Sequence, residues 1–286
     1  MSAYLWWGGM PLYFKLLADV PPLQVLAHRV VWSVVFLAVV IALQKRGGEV
    51  RAAVRDRRVL LMLVGSTLSV AVNWYVFIWA VSNDHVMQAA LGYYINPLIV
   101  ALMGVVFLRE KLRPAQVVAV LLAAVGVTNM AVGTGVVPWA SLALAVSFGL
   151  YGLIRKQAPV KPVPGLLVET LLLLPLSLGV MLYPVATVTT SNAYDPTTIV
   201  FLGLSGVVTA LPLIWFAAAA GRLRFVTLGM LQYIAPTGQF LLAVLIYNEP
   251  FTRTHAILFA FIWSAVALYT FDSVRAYQQR PKTVTP

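Results

Sequence analysis

The sequence predicts an all-α membrane protein of about ten transmembrane helices, arranged as two inverted five-helix halves. Three observations predict it. The 286 residues are 61% hydrophobic and only 10% charged, with a mean hydropathy of +0.88, whereas a soluble domain carries about a quarter charged residues. The apolar residues fall in runs of spanning length, separated by connections of which alternate ones hold nearly all the basic residues. A short motif also recurs at a fixed offset between the halves.

Apolar runs bounded by charges, proline and glycine place spans 1 to 5 near residues 2–17, 23–44, 59–82, 86–108 and 114–133. Spans 6 to 10 fall near 136–154, 163–185, 197–220, 225–247 and 252–272. At 1.5 Å per residue, about 20 residues cross a hydrocarbon core of roughly 30 Å with every backbone group bonded inside the segment. The alternation of a transmembrane barrel is not seen. Span 1 begins almost at Met1, contains Lys15 and lacks a small-residue cleavage site, so it reads as a membrane helix, with room for a start further upstream. The first half is 1–133, the second 134–272, and a polar cytoplasmic tail follows at 273–286.

Of the 20 lysines and arginines, all but three lie in one set of connections: Lys45 to Arg58, Arg109 to Arg113, Arg155 to Lys161, Arg222 with Arg224, and Arg275 to Lys282. The alternate set carries Arg253, while Lys15 and Arg29 lie within or at the edge of spans. The positive-inside rule then puts both termini in the cytoplasm and the polar stretch 187–198 outside. The same scatter argues against nucleic acid as a partner despite a formal charge of +11, because a binding face needs clustered basic residues. There is no cysteine, hence no disulfide and no thiolate metal site. His-Glu-x-x-His, paired metal carboxylates and a Gly-rich phosphate cradle are all missing, and His28, His85 and His255 lie in different spans or loops. An enzyme is therefore not expected, nor is a cofactor.

Five spans per half is an odd number, so a duplicated half must insert upside down. Tyr94-Ile95-x-Pro97 recurs as Tyr233-Ile234-x-Pro236, and Glu110 recurs as Glu249, all at an offset of 139 residues. The competing explanation is that proline and terminal glutamate are common in such helices. Inversion would put Glu110 in the cytoplasm and Glu249 outside.

These residues also carry a resemblance. Ala3-Tyr4 through Lys15, Leu26-Ala27-His28-Arg29 with Trp32-Ser33, Asn73-Trp74 through Val81, Leu91 to Leu98, Glu169 to Pro175, and Gln232 to Pro236 together resemble the RarD-type branch of the EamA-domain transporters, within the drug/metabolite transporter superfamily. The resemblance spans essentially the whole chain. It implies two EamA repeats around a central cavity, alternating access, a bacterial inner membrane, and spans 5 and 10 at the periphery or at a homodimer contact. It also implies a name tied to chloramphenicol sensitivity, which is not taken as a substrate. Ala90 departs from the family's usual polar residue before Leu91.

Polar groups inside hydrocarbon are the informative minority, since each charge there is costly unless it faces a cavity or a partner. Arg29 lies about six residues into span 2, roughly 9 Å below the outer boundary, and Glu169 about six into span 7 from the cytoplasmic side. They occupy matching places at an offset of 140 but differ by roughly 10 Å in depth, too far for a contact pair. A substrate with both charges, such as an amino acid, could bridge part of that gap; alternatively Arg29 snorkels and Glu169 caps a kink. Eight of the nine acidic residues lie in loops or at helix ends, leaving Glu169 as the main candidate for proton coupling, with His28 as a second. Asn73 and Asn96 near the midplane could bind a polar ligand or glue helices together. Gln232, Pro236 and Gln239 share one helix face, which is expected to look into the cavity. Pro97 and Pro236 would kink spans 4 and 9 as paired gates, or serve packing alone. Trp74, Tyr93, Tyr94 and Tyr233, with Trp79 and Trp215, could accept aromatic solutes; Trp6, Trp7, Trp139 and Tyr247 are assigned to the interfacial belt. The function that follows is a secondary transporter exporting a small organic metabolite, an amino acid or an amphiphilic drug-like compound, with a passive channel or a membrane scaffold as the alternatives.

Overall fold

The computed structural model describes residues 1–82, 86–134, 139–182, 195–246 and 252–278, and every regular element among them is a helix. In chain order these are α1 (Ser2–Lys15), α2 (Pro22–Leu43), α3 (Gly47–Arg55), α4 (Arg57–Ser82), α5 (Val86–Val106), α6 (Pro114–Thr134), α7 (Trp139–Gln157), α8 (Pro162–Leu182), α9 (Pro196–Ala220), α10 (Phe225–Gln232), α11 (Ile234–Leu245) and α12 (Arg253–Gln278). Six of them, α2, α4, α6, α8, α9 and α12, are individually long and apolar enough to cross a bilayer. His85, Tyr247, Glu249, most of 187–198 and the side chain of Ala90, all named above, fall outside the described residues.

The helices start where local chemistry lets them. α2, α6, α8 and α9 open on proline, whose fixed φ suits the first helical position and whose missing N–H would have no partner there. Asp195 caps α9 by accepting from the backbone N–H of Thr197 and Thr198 at 3.1 and 3.4 Å. Asp56 likewise accepts from Arg58 and Val59 at the start of α4. Inside the bundle the packing follows helical spacing: Val30, Ser33, Leu37 and Ile41 of α2 are buried, whereas Trp32, Val35, Val39 and Leu43 on the other face are exposed and apolar. A helix apolar on every face belongs in lipid, where its outer surface is solvated by acyl chains.

Without a hydrophobic force between helices, contact depends on close packing at small residues. α2 meets α9 so closely that a Cβ at Gly206 would lie 2.2 Å from the carbonyl carbon of Trp32. At the same contact Ser33 Oγ donates to the Gly206 carbonyl at 3.1 Å. The remaining principal contacts pair α5 with α7 and α10, α2 with α8, α4 with α7 and α8, α1 with α9 and α11, and α6 with α12. Advancing by one half of the molecule turns α4–α7 into α9–α1, α5–α7 into α11–α1, and α2–α9 into α8–α4; α2–α8, α5–α10 and α6–α12 map onto themselves.

The basic connections meet on one face of the bundle. Lys161 Nζ lies 2.9 Å from Glu49 Oε1, Arg113 lies 2.6 Å from Asp272, and the Glu110 carboxylate accepts from the backbone N–H of Phe225 and Val226 at 2.6 and 3.0 Å, capping α10. Here the amphipathic α3 lays Val50 and Ala53 against Val59, Leu63 and Val168.

Three features differ from the sequence expectations. α3 is a helix within what reads as a basic loop, because nine residues of mixed polarity carry no hydropathy signal. Span 9 is broken into α10 and α11 at Tyr233: Pro236 has no N–H to return to the Gln232 carbonyl, and its ring crowds the preceding turn. α5 instead runs unbroken through Pro97. Finally, α7 continues through Arg155 to Gln157 and α12 continues to Gln278, so Arg155 is not a loop residue and the polar tail starts as helix.

Candidate functional site

A cavity of about 960 Å³ occupies the middle of the bundle. Its wall comes from α1, α2, α4, α5, α7, α9, α10 and α11, and it extends to Lys15 and Ile246 at the ends of α1 and α11 away from the basic face. Arg29, Asn73, Trp74, Tyr93, Asn96, Gln232, Pro236 and Gln239 all line it. The break at Tyr233 leaves the Gln232, Pro236 and Gln239 face turned to this space.

Arg29 is held from one side only. Its Nε donates to Thr209 Oγ1 at 2.9 Å, and its Cζ lies 5.1 Å from the Phe14 ring centroid and 5.3 Å from that of Trp74, within cation–π range. Asn73 Nδ2 donates to the Leu144 carbonyl at 2.9 Å and to Ser147 Oγ at 3.1 Å, so it joins α4 to α7 while bordering the cavity. Gln239 Nε2 donates to the Trp7 carbonyl at 3.0 Å, joining α11 to α1 in the same way. Asn96 Oδ1 and Gln232 Oε1 are buried and have no hydrogen-bond partner among the described residues.

Several expected residues lie elsewhere. Tyr233 is buried in the packing layer of α5, α6, α10 and α12, its hydroxyl without a partner among the described residues. Tyr94 belongs to the same layer, with its hydroxyl 3.5 Å from the Pro236 carbonyl. Pro97 does not line the cavity; its carbonyl faces Gly229, where a Cβ would approach to 2.8 Å. His28 is outside the wall, and its Nδ1 has no partner among the described residues. Trp215 packs edge-on against Trp6 at 5.9 Å rather than lining the space, and Trp79 packs at a tilt of 57° against Trp139 at 4.7 Å. Trp7, assigned above to the interfacial belt, is instead a cavity residue packed on Tyr4, Phe148 and Phe216; the shortness of α1 places it at mid-bundle.

Glu169 is not isolated in the membrane. It is 2% exposed, lies 3.6 Å from Arg155 Nε, and accepts from Ser66 Oγ at 2.5 Å. Arg155 Nη2 donates to the Pro162 carbonyl at 3.2 Å, and its Nη1 lies where a Cβ at Gly165 would come within 2.2 Å. Only glycine leaves room for the guanidinium there. The pair clamps α7 to α8, and Ser66 adds α4. A void of about 10 Å³, the scale of one water, lies beside Glu169, Thr170 and Tyr151 and shares Val70, Trp74, Thr209 and Leu213 with the large cavity. Tyr151, Phe216 and Phe225 fill the bundle between the cavity and the basic face, with Tyr151 and Phe216 stacked at 6.0 Å. Arg155 is the residue that sequence reasoning missed. One signal pointed to it: Arg155 falls three residues after Gly152 and four after Tyr151, on the buried face of α7.

The sequence profile of the EamA-like transporter family matches residues 1–132. An uncharacterized transporter of Pseudomonas aeruginosa is 44% identical over 283 residues, covering 99% of this chain and 95% of the relative. Protein RarD of Salmonella typhi is 42% identical over 284 residues, covering 99% and 96%. A solved crystal structure superposes with a TM-score of 0.74 at 22% identity, covering 96% of both chains, and so shares the fold. With near-full-length identity of this order to transporters, apolar helices in succession and a solute-sized cavity among them, the chain is a multi-pass membrane protein that belongs to the EamA-like transporter family, in its RarD-type branch.

Proposed function

We propose that the protein is a secondary carrier of the bacterial inner membrane that exports a small organic metabolite by alternating access. In this reading ten spans form two inverted repeats, residues 1–133 and 134–272, with both termini in the cytoplasm. The exchange of helix contacts between halves and the collection of basic ends on one face support it. The observation that carries the reading is the 960 Å³ cavity, which reaches away from the basic face and stops at a packed layer and a buried ion pair. That is the shape of a carrier open to one side and sealed to the other. An amino acid or a compact amphiphilic compound fits the volume, with Asn73, Asn96, Gln232 and Gln239 supplying polar contacts and Trp74 and Tyr93 an apolar wall.

Transport then requires α7 to part from α8 and α4 at the Arg155–Glu169–Ser66 contact. A proton delivered to Glu169 would remove the charge that holds Arg155 and loosen the seal, and the one-water void beside it offers a route from the cavity. Pro97 and Pro236 serve as unequal hinges, and His28 is a second titratable group near the wall. The test starts with a thermal-shift screen of amino acids, amines and amphenicols on purified protein, followed by counterflow of the best ligand in proteoliposomes. Saturable counterflow is expected; flux without saturation indicates a channel and refutes the carrier. Glu169→Gln should abolish pH-gradient-driven uptake while preserving insertion and counterflow, and unchanged proton-driven flux would remove Glu169 as the coupling site.

A further inference from the structure

We propose that the cavity selects organic anions, specifically solutes with a carboxylate on an apolar body, and that Arg29 is the carboxylate's seat. The inference rests on the cavity being a solute site and adds the charge that the solute must carry.

Arg29 is a cation in hydrocarbon surroundings whose one hydrogen bond among the described residues uses Nε. Among the described residues it takes part in no ion pair, and the ion pairs there are made by Arg46, Arg113, Arg155, Lys161 and Arg224 instead. A membrane arginine held this way needs an anion, since its charge is otherwise compensated by one hydroxyl and two ring faces. Thr209, Phe14 and Trp74 fix the plane of the guanidinium while leaving both Nη nitrogens for a two-pronged contact, the geometry that matches a carboxylate. The groups facing Arg29 are the Tyr13 and Tyr93 phenols and, further along the wall, Lys15; among the described lining residues there is no aspartate or glutamate. A cationic solute therefore meets Arg29 with no carboxylate among the described lining residues, and the ammonium of a zwitterion meets none there either.

The rest of the wall specifies more. Asn96 and Gln232 line it, and their amide oxygens are buried without a partner among the described residues, so a hydrogen-bond donor on the solute would satisfy them. Trp7, Trp74 and Phe148 line the space as apolar ring surface. The ligand class is thus an aryl or alkyl carboxylate, uncharged elsewhere, with a hydroxyl or amide N–H at its other end.

Four compounds with one common body separate charge from shape: 3-(4-hydroxyphenyl)propionate, tyrosine, tyramine and 3-(4-hydroxyphenyl)propanamide. Calorimetric titration into the full-length protein in lipid nanodiscs should give the propionate the highest affinity, about 10- to 100-fold above the neutral amide, as expected for charge-assisted hydrogen bonds. Tyrosine should rank between them and tyramine last. Arg29→Gln should bring the propionate down to the level of the amide, whereas Arg29→Lys should keep the sign of the preference and lose most of its size. Tyramine or the amide binding as well as the propionate overturns the proposal, as does absence of propionate binding. So does a folded Arg29→Gln that keeps the wild-type preference. If Arg29→Gln fails to fold, the wild-type ranking alone decides. The failure of the carrier reading is separable: anion-selective binding without counterflow refutes the carrier and leaves this inference standing, while counterflow without charge ranking does the reverse.

Discussion

Gly206→Ala is the substitution by which the packing of this bundle can be tied to its site. The added Cβ would lie 2.2 Å from the Trp32 carbonyl carbon and 2.4 Å from its oxygen, and both are backbone atoms that cannot rotate away. Ordinary contact begins at 3.4 Å, so α2 and α9 must separate by about 1.2 Å. Overpacking of this kind costs about 1–3 kcal/mol. The separation also acts on two hydrogen bonds across the same contact: Ser33 Oγ to the Gly206 carbonyl at 3.1 Å, and Arg29 Nε to Thr209 Oγ1 at 2.9 Å. Either bond lengthened by that amount passes out of hydrogen-bond range, and interhelical bonds in membranes average about 0.6 kcal/mol each. The total is about 2–4 kcal/mol, together with a misplaced Arg29 and weaker ligand binding. Gly203→Ala, one turn earlier, is the control, because its nearest neighbour outside the helix is the Trp32 ring at 4.0 Å. Unfolding in mixed micelles, read beside ligand affinity, measures both effects. Gly206→Ala matching Gly203→Ala in stability and in affinity would refute the reasoning.

Three further outcomes follow from the ion pairs. Arg155→Met alone should destabilise by about 3–5 kcal/mol, because Glu169 is left buried with Ser66 as its one remaining partner, while Arg155→Met with Glu169→Met should recover most of that loss; a double mutant as unstable as the sum of the singles would show that the two do not act as a pair. The chain has no native cysteine, so Leu167→Cys, buried next to Val168 and Glu169, can report on the seal: an impermeant maleimide should label it slowly in the wild-type background and fast with Arg155→Met, and equal rates would sink the assignment of the pair as a gate. On the basic face, two hydrogen bonds from Arg46, with a third from Lys161, hold the Glu49 carboxyl down at about 2. A carboxyl lowered on folding stabilises above its unfolded value near 4.3 and loses that contribution as pH falls towards about 2. The α3 amides should thus exchange alike in wild type and Glu49→Gln only below about pH 2, differ partly at pH 3, and be better protected in wild type at pH 6; no difference at pH 6 would refute the tether.

Much of the architecture was legible because hydropathy and charge act on whole segments. Among the described residues each expected span overlaps helix, span 9 as two pieces, and the basic connections do meet on one face. Local chemistry too was readable in part: the shared face of Gln232, Pro236 and Gln239 follows from helical spacing and turns towards the cavity. What stayed hidden depends on where a side chain goes after the helix is placed. Arg155 beside Lys156 reads as a loop pair, yet Lys156 Nζ reaches the Ala220 carbonyl at 3.0 Å while Arg155 turns inward to Glu169. Nothing along the chain links Arg155 to Gly165, whose missing Cβ makes the inward turn feasible. Trp7 carries the composition of a belt residue, and only the contacts of α1 with α9 and α11 place it on the cavity.

In the proposed inverted repeat, residues at equivalent places do unequal work. Pro97 and Pro236 stand at one offset, yet α5 is continuous and the equivalent run is broken at Tyr233. Arg29 and Glu169 also stand at matching places, and each has a hydroxyl on a neighbouring helix, Thr209 for the first and Ser66 for the second. They differ in what else they meet. Arg29 borders a large space, whereas Glu169 is closed off by Arg155. In the proposed carrier, two copies of one helical unit facing opposite ways would not both be open in a single conformation, because the apolar layer that fills one side is what leaves the other empty. On that proposal the asymmetry between an open arginine and a sealed glutamate marks one of two states, and the charge difference would give the states different chemistry: the open end would attract an anion, and the sealed end would be released by neutralising one. In such a carrier, coupling a solute to protons would require that filling the Arg29 end and protonating Glu169 bias the same two states.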